Sequence, residues 1–363
     1  MSSSIGKNIK LTIFGQSHST AIGMVLEGVP AGLTIDMEAV AAFMQRRAPG
    51  RDAWSTPRRE PDIPEVLSGL VGNTTCGAPI CAIIRNSNHD SSAYESIKEV
   101  FRPGHADFTA HMKYHGFQDV SGGGHFSGRL TAPLVFAGAI CLQALALQGI
   151  FVGAHIRRIG AIEDVAFDAV NLDRQQLMAA GAKRFPVISD QAGEEMARHI
   201  AWARSQQDSV GGIIECGAVG IPVGIGSPMF DGLENTLARI IFGIPAVKGI
   251  EFGAGFNVAE MLGSENNDPF ALVNDRISPV SNNAGGILGG ISTGAPLVFR
   301  VAIKPTPSIS QSQQSVTVDG RLASCATHGR HDPCIVPRAV PVVEAACALA
   351  LYDLLLDSRL DQR

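Results

Sequence analysis

Neither common nucleotide-binding signature is present. No stretch matches GxxxxGK[ST], and GAGFNV at 253–258 lacks the third glycine of a dinucleotide-binding turn, which sets aside a P-loop kinase and a Rossmann dehydrogenase. The seven cysteines are odd in number and contain no CxxC pair, which fits a reducing compartment rather than a disulfide scaffold or a zinc site. Basic excess is also missing: the net charge is -5 and the pI about 6.1, so the electrostatic footprint of a general nucleic-acid binder is absent. His111 and His115 have helical metal-ligand spacing, but there is no glutamate between them and no third ligand, so no metal is expected. The N-terminal MSSSIGKNIKLTIF has no sustained apolar core ahead of a small-residue cleavage site, which predicts cytoplasmic residence. One uncharged stretch, 131–154, is long enough to cross a bilayer. Pro133, Gly138, Gln143, Gln148, Gly149 and Gly153 interrupt it, and a buried helix followed by the strand GIFVGAHI explains it better than a membrane span.

What the chain does have is arginine, used far more than lysine. Arg46, Arg47, Arg51, Arg58 and Arg59 crowd into 46–59. A planar, permanently charged guanidinium suits two-pronged capture of carboxylate or phosphate, so the cluster predicts a small polyanionic ligand. Arg102, His105, Asp107, His125 and Arg129 lie in or beside the glycine-rich runs FRPGHADF and SGGGHFSGR, where backbone can approach a ligand closely. With 363 residues, 45% of them hydrophobic and only 17% charged, a large core is available, possibly in two lobes.

Strand-like runs occur at NIKLTIF, AIGMVLE, PICAIIR, GIFVGAHI, GGIIECGAV and PLVFRVAI. Helical patterns cover 36–47, with Asp36 as cap, and then 132–148, 190–206, 233–242 and 339–357. Strand and crossover helix do not alternate regularly, so the chain reads as mixed α and β. The polar run 308–320 reads as a surface loop able to act as a lid. GVPAG at 28–32 and GIPVG at 220–224 share turn chemistry, a weak hint of two similar halves in a single domain spanning 1–363.

His18 follows a strand in FGQSHS, and His105 sits in RPGHAD. Either could be an ordinary loop histidine, but beside phosphate-holding arginines an imidazole can donate a proton to a leaving phosphate. In GRHDPC, Arg330 could hold an anion and Asp332 stay ionised beside it as a base, or the two could simply make a salt-bridged turn with Arg338 nearby. The run NNAGGILGGISTG, 282–294, is glycine-rich either for a planar ligand or for close packing.

Taken in order, FGQSHS, RRAPG, TPRREPD, RPGHAD, SGGGHFSGR, QDSVGG, IPAVKGIEFG, NNAGGILGGIS, KPTPSI and GRHDPC closely resemble the signature segments of the chorismate synthase family over nearly the whole chain. The resemblance implies an α+β fold, a β-α-β sandwich of antiparallel sheets and helices, in a homotetramer. It implies 1,4-anti elimination of phosphate from 5-enolpyruvylshikimate 3-phosphate with reduced FMN and no net redox change. It further implies that His18 protonates the departing phosphate, that His105 protonates or stabilises reduced flavin, and that Asp332 helps take the C6 proton. Arg47, Arg51, Arg58, Arg102, Arg129, Arg330 and Arg338 become the substrate's anion cage. His125, Phe126, Ser127, Ala246, Gly289, Lys304, Pro305, Thr306, Pro307, Ser308 and Arg330 fall at flavin positions, and Arg47 at one associated with NADP. Reduction by NADPH within the chain or by an external flavin reductase are both open, with the external route favoured.

The chain departs from the commonest family pattern at several positions. Gln16 and Ser19 stand for Glu and Gly, His125 and Phe126 for Arg and Ser, Ala53 for Arg, Pro245 for Asn, Asn283 for His and Pro307 for Ser. Two rival readings remain: a non-catalytic anion or RNA-binding protein, motivated by the arginine cluster, and a flavin-dependent phosphate lyase on another substrate.

Overall fold

The structure is a computed structural model that describes residues 3–50, 54–55, 60–86, 99–273, 275–327 and 331–360. Two five-stranded antiparallel sheets form its outer layers. The first contains β1 (Ser4–Ile5), β2 (Lys10–Gly15), β3 (Ala21–Glu27), β4 (Pro64–Ser68) and β5 (Ile80–Arg85) in the order β1-β2-β3-β5-β4. The second contains β6 (Phe151–Ile159), β7 (Ile162–Glu163), β8 (Gly212–Val219), β9 (Val247–Phe252) and β10 (Leu297–Ile303) in the order β9-β10-β8-β6-β7.

Between the sheets lie α1 (Met37–Arg47), α3 (Thr131–Ala146), α6 (Leu233–Ile241) and α7 (Val336–Leu360), while α2 (Asp107–Tyr114), α4 (Arg174–Ala182) and α5 (Asp190–Ser205) are peripheral. Helix α3 is apolar on nearly every side and touches β2, β3 and β5 on one flank. It packs along α7, which in turn covers β6 and β8. A helix that is hydrophobic all round must be enclosed, and both α3 and α7, although long and apolar enough to span a membrane, are core helices here. They approach closely because residue 138 is glycine: a Cβ there would fall 2.2 Å from the Cβ of Ala345. The fold is therefore α+β with antiparallel sheets enclosing helices.

Helix α1 starts where the sequence indicates. Asp36 accepts hydrogen bonds from the N–H groups of Glu38 and Ala39, both at 2.9 Å, and so satisfies two of the donors left open at a helix start. Its buried Val40 and Met44 face the core, which leaves Arg46 and Arg47 in the last turn.

The two proline turns are built alike. Gly32 N–H donates to Thr75 C=O at 2.8 Å, and the Thr75 hydroxyl donates to Pro30 C=O at 2.7 Å. Gly224 N–H donates to Ser292 C=O at 3.1 Å, and the Ser292 hydroxyl donates to Pro222 C=O at 2.6 Å. In each case the turn follows a central strand, a helix comes next, and a short hairpin carries the hydroxyl residue back. The run 308–320 differs from the expected loop. Gln313–Val316 pairs with Leu322–Cys325 in a hairpin, closed through Asp319 and Gly320, whose φ of +84° suits glycine. That hairpin also bonds to Phe101 and Glu99, immediately ahead of Arg102.

Buried beneath Phe167, His155 lies 3.2 Å from Asp164 and 2.9 Å from Glu215. Burial alone would lower its pKa, but hydrogen bonding and attraction to the two carboxylates outweigh burial and raise it. The stability this contributes is complete below the ordinary imidazole value of about 6.5 and is lost as pH rises through the higher folded value. Urea midpoints measured across neutral and alkaline pH are expected to fall with rising pH in the native chain and to lose that dependence in His155→Gln.

Candidate functional site

Chemically reactive side chains collect where the loops of the first sheet meet the start of α7. Asp62 is central. One carboxylate oxygen is bonded to Arg47 Nη1 and the other to Arg129 Nη1, and all three residues are buried. Burial would raise the Asp62 pKa, yet Arg47 and Arg129 together hold it below the ordinary carboxylate range. The arginines are also anchored at Nε, Arg47 on the Thr131 hydroxyl at 3.1 Å and Arg129 on Asn86 Oδ1 at 3.0 Å. Glu60 adds a second carboxylate, 2.9 Å from Arg129 Nη1. Arg338 repeats the arrangement, with Nε on Arg47 C=O at 2.9 Å and Nη1 on Asp332. Each of these three guanidiniums is thus fixed through Nε and Nη1, and Nη2 has no partner among the described residues.

The contacts continue in both directions. Asn86, which holds Arg129, donates through Nδ2 to the carbonyls of Gln16 at 3.2 Å and Ser19 at 2.7 Å, and so positions the turn that carries His18. At the other end, Asp332 adjoins His331, which burial, followed by Arg102, drives down to about pKa 4, so it stays a neutral imidazole near pH 7. Arg102 grips Asp107 through its backbone N–H, Nε and Nη2 at 3.0, 2.7 and 2.7 Å. His105 Nδ1 lies 2.8 Å from Asp107 Oδ1 and 3.2 Å from Arg102 Nη2. The carboxylate can only accept and the guanidinium can only donate, so Nδ1 can bond just one of them, and the shorter contact, to Asp107, is the one made with Nδ1 protonated. Burial raises the Asp107 carboxyl less than these hydrogen bonds lower it, which keeps it well below its usual range.

Glycines 122 and 123 close the circuit between the two imidazoles. A Cβ at Gly122 would stand 1.9 Å from His18 Cε1, and one at Gly123 would stand 3.2 Å from His105 Nε2. The Ser17 hydroxyl lies 3.0 Å from His18 Nδ1 and donates to Ser121 C=O at 3.1 Å. With its one proton so engaged, it accepts from His18 Nδ1–H, which leaves Nε2 as the nitrogen suited to proton exchange.

This arrangement of guanidiniums and imidazoles can neutralise a polyanion and move protons at its edge. The sequence profile of the chorismate synthase family matches residues 9–356. The chain belongs to the chorismate synthase family. A chorismate synthase of Dehalococcoides mccartyi is 49% identical to it, covering 98% of this chain and 97% of the relative. One of Thermococcus gammatolerans is 45% identical, covering 97% of each. A solved chorismate synthase crystal structure matches with a TM-score of 0.76 at 27% identity, over 98% of this chain and 93% of that one. Membership in the chorismate synthase family makes the chain an enzyme.

Of the residues singled out in the sequence, His18, His105, Asp332, Arg47, Arg102, Arg129 and Arg338 lie along this one circuit. Arg51, Arg58 and Arg330 lie outside the described residues. Arg46, adjacent to Arg47 in sequence, instead makes a two-pronged pair with Glu344 at 2.6 and 2.8 Å. Among the flavin positions, Lys304 donates its ammonium to Gly104 C=O, and Pro307 lies against Gly104, which joins the 304–308 segment to the His105 loop. Ala246 C=O accepts from Lys304 N–H at 2.9 Å, and Ala246 has a φ of +73°. Pro305 is exposed, Ser308 is buried, and Gly289 has open space where a side chain would be. Thr306 Oγ1 is buried with no hydrogen-bond partner among the described residues. Ser127 caps the turn at Arg129, and Phe126 is 37% exposed. His125 is exposed, with Nδ1 3.0 Å from Gly15 C=O and Nε2 3.3 Å from the Ser3 hydroxyl. Sequence reasoning missed Asp62, Glu60, Asn86 and Thr131. The only local signal was the acidic pair in REPD directly after the arginines.

Gly122→Ala would push a methyl group into the His18 ring. Turnover is expected to fall by about 100-fold, the scale of loss that an ångström of displacement produces at a reacting group. Far-UV circular dichroism should stay unchanged. Full activity in the variant would place His18 away from the chemistry.

Proposed function

We propose that the protein eliminates phosphate from 5-enolpyruvylshikimate 3-phosphate to give chorismate, in the pathway to the aromatic amino acids, with reduced FMN as cofactor. The observation that carries this reading is the set of three arginines, Arg47 and Arg129 buried and Arg338 partly so, each fixed at two nitrogens beside two imidazoles. The substrate has a phosphate and two carboxylates, and rigid donors in a water-poor site stabilise such charge without reorganising. Arg47, Arg129 and Arg338 bind these anions, and Arg51, Arg58, Arg102 and Arg330 complete the cage. His18, in its doubly protonated form, delivers the Nε2 proton to the phosphate as its C–O bond breaks and is left neutral with Nδ1–H. Asp332, paired with Arg338, assists removal of the C6 proton, and the new double bond forms with no net redox change.

When bound, reduced FMN would supply the reversible one-electron chemistry that breaking a poorly acidic C–H bond needs. The residues proposed to hold it are His125, Phe126, Ser127, Ala246, Gly289 and Lys304 to Ser308, and Arg330 is assigned to the same group. The support within this chain is the buried, unpartnered Thr306 hydroxyl and the open face at Gly289, which suit a phosphate-bearing planar group. Asp107 is hydrogen-bonded to His105 Nδ1, and Nε2, beside Gly123, would be the nitrogen that protonates or stabilises reduced flavin.

Arg47 is only 4% exposed and is already bonded to Asp62 and Thr131, which favours a substrate role over an NADP contact. Reducing equivalents then come from a separate flavin reductase. The further proposals are one domain of two similar halves, a homotetramer and a cytoplasmic location. The apolar face of the hairpin at 270–279, with Phe270, Leu272 and Ile277 exposed, supports assembly into an oligomer.

The test is an anaerobic assay of the purified chain with substrate and chemically reduced FMN. Phosphate and chorismate are expected in equal amounts, and neither with oxidised FMN. Phosphate release that is indifferent to flavin redox state would overturn the reading. His105→Ala is expected to lower turnover by roughly 100-fold or more, the range of a lost general acid or base, with the unfolding midpoint preserved.

A further inference from the structure

We infer that Asp62, with Glu60 beside it, is a positioning residue of the anion site: it sets the spacing of the Arg47 and Arg129 guanidiniums and cancels part of their charge. The inference rests on the proposed anion-binding role of those arginines.

Three observations support it. Asp62 divides its two oxygens between the two arginines, each bonded at Nη1, so one planar carboxylate acts as the spacer between them. Its backbone has a φ of +50°, a left-handed conformation uncommon for residues other than glycine and best tolerated by Asp and Asn. Such a conformation persists only where the surroundings require it. Third, Thr131 and Asn86 secure the Nε atoms, so the Asp62 bridge completes a two-point attachment that leaves Nη2 of each arginine without a hydrogen-bond partner among the described residues.

Charge has a consequence beyond geometry. Arg47 and Arg129 carry two positive charges against the two negative charges of Asp62 and Glu60. The pairs stay attractive to an anion through their oriented donors while their net field is reduced. A site built this way recognises a phosphorylated ligand by geometry and does not hold inorganic phosphate tightly after it has been released. Removing one carboxylate charge in a buried site would strengthen binding of any small anion by on the order of tenfold, because little water is present to screen it. The same change would let the guanidiniums turn out of register and slow turnover.

The experiment compares the full-length native chain with Asp62→Asn, which keeps size, one acceptor and tolerance of the left-handed backbone, and with Glu60→Gln, which touches only the Arg129 side. Inorganic phosphate binding is measured by isothermal titration calorimetry at pH 7, and turnover by the anaerobic assay. Both variants are expected to bind phosphate more tightly, Asp62→Asn by about tenfold and Glu60→Gln by less, while the turnover of Asp62→Asn falls. A purely structural role would lower turnover without tightening phosphate binding, and that result overturns the inference. If Asp62→Asn does not fold, Glu60→Gln decides on the same criterion. Native protein that fails to bind phosphate counts instead against the anion-site reading.

Discussion

One buried carboxylate between two buried guanidiniums organises this site. Arginines placed in a low-dielectric interior need partners, since an isolated buried charge is costly. Asp62 meets that need for Arg47 and Arg129 together, and Asp332 does the same for Arg338. Attachment at Nε and Nη1 turns a flexible side chain into a fixed donor, and the remaining nitrogen is aimed before any ligand arrives. Preorganisation of this kind is what distinguishes a site that stabilises developing charge from a merely basic surface.

The fold makes the arrangement possible by bringing distant segments to one edge. Arg47 ends α1, Arg129 precedes α3, and Arg338 lies in the first turn of α7. Those three helices pack on one another between the sheets, so the arginine spacing is inherited from the rigid core. The imidazoles come from loops, and glycines 122 and 123 let both rings approach one turn. Rigid helices therefore carry the permanent charges, and loops carry the groups that exchange protons.

Much of this was legible in the sequence, and the limits have physical causes. The capped start of α1 and the buried character of α3 followed from cap chemistry and apolar continuity. Arg47, Arg102, Arg129 and Arg338 were visible because arginine is dense against a sparsely charged background. The β-α-β sandwich was not derivable from periodicity, because antiparallel order depends on long-range pairing, and only family resemblance supplied it. Asp62 was hidden: a carboxylate after RRE reads as local charge balance, and nothing in the pattern shows that one residue joins α1 to the start of α3. Asn86 and Thr131 were hidden for the same reason, as their roles depend on residues tens of positions away. Resemblance assigns His125 to the cofactor, and its exposed ring lies within hydrogen-bond distance of Gly15 C=O and the Ser3 hydroxyl. Helix α2 and the hairpin at 313–325 were too short for periodicity to reveal, yet they frame Arg102 and His105.

The most direct measurement is a crystal structure of the full chain soaked with inorganic phosphate as a stand-in for the substrate's leaving group. The account places the anion against Arg47, Arg129 and Arg338, with His18 at its edge and Asp62 still bridging the first two. Phosphate seated elsewhere, with those three arginines unengaged at equal occupancy conditions, would contradict it.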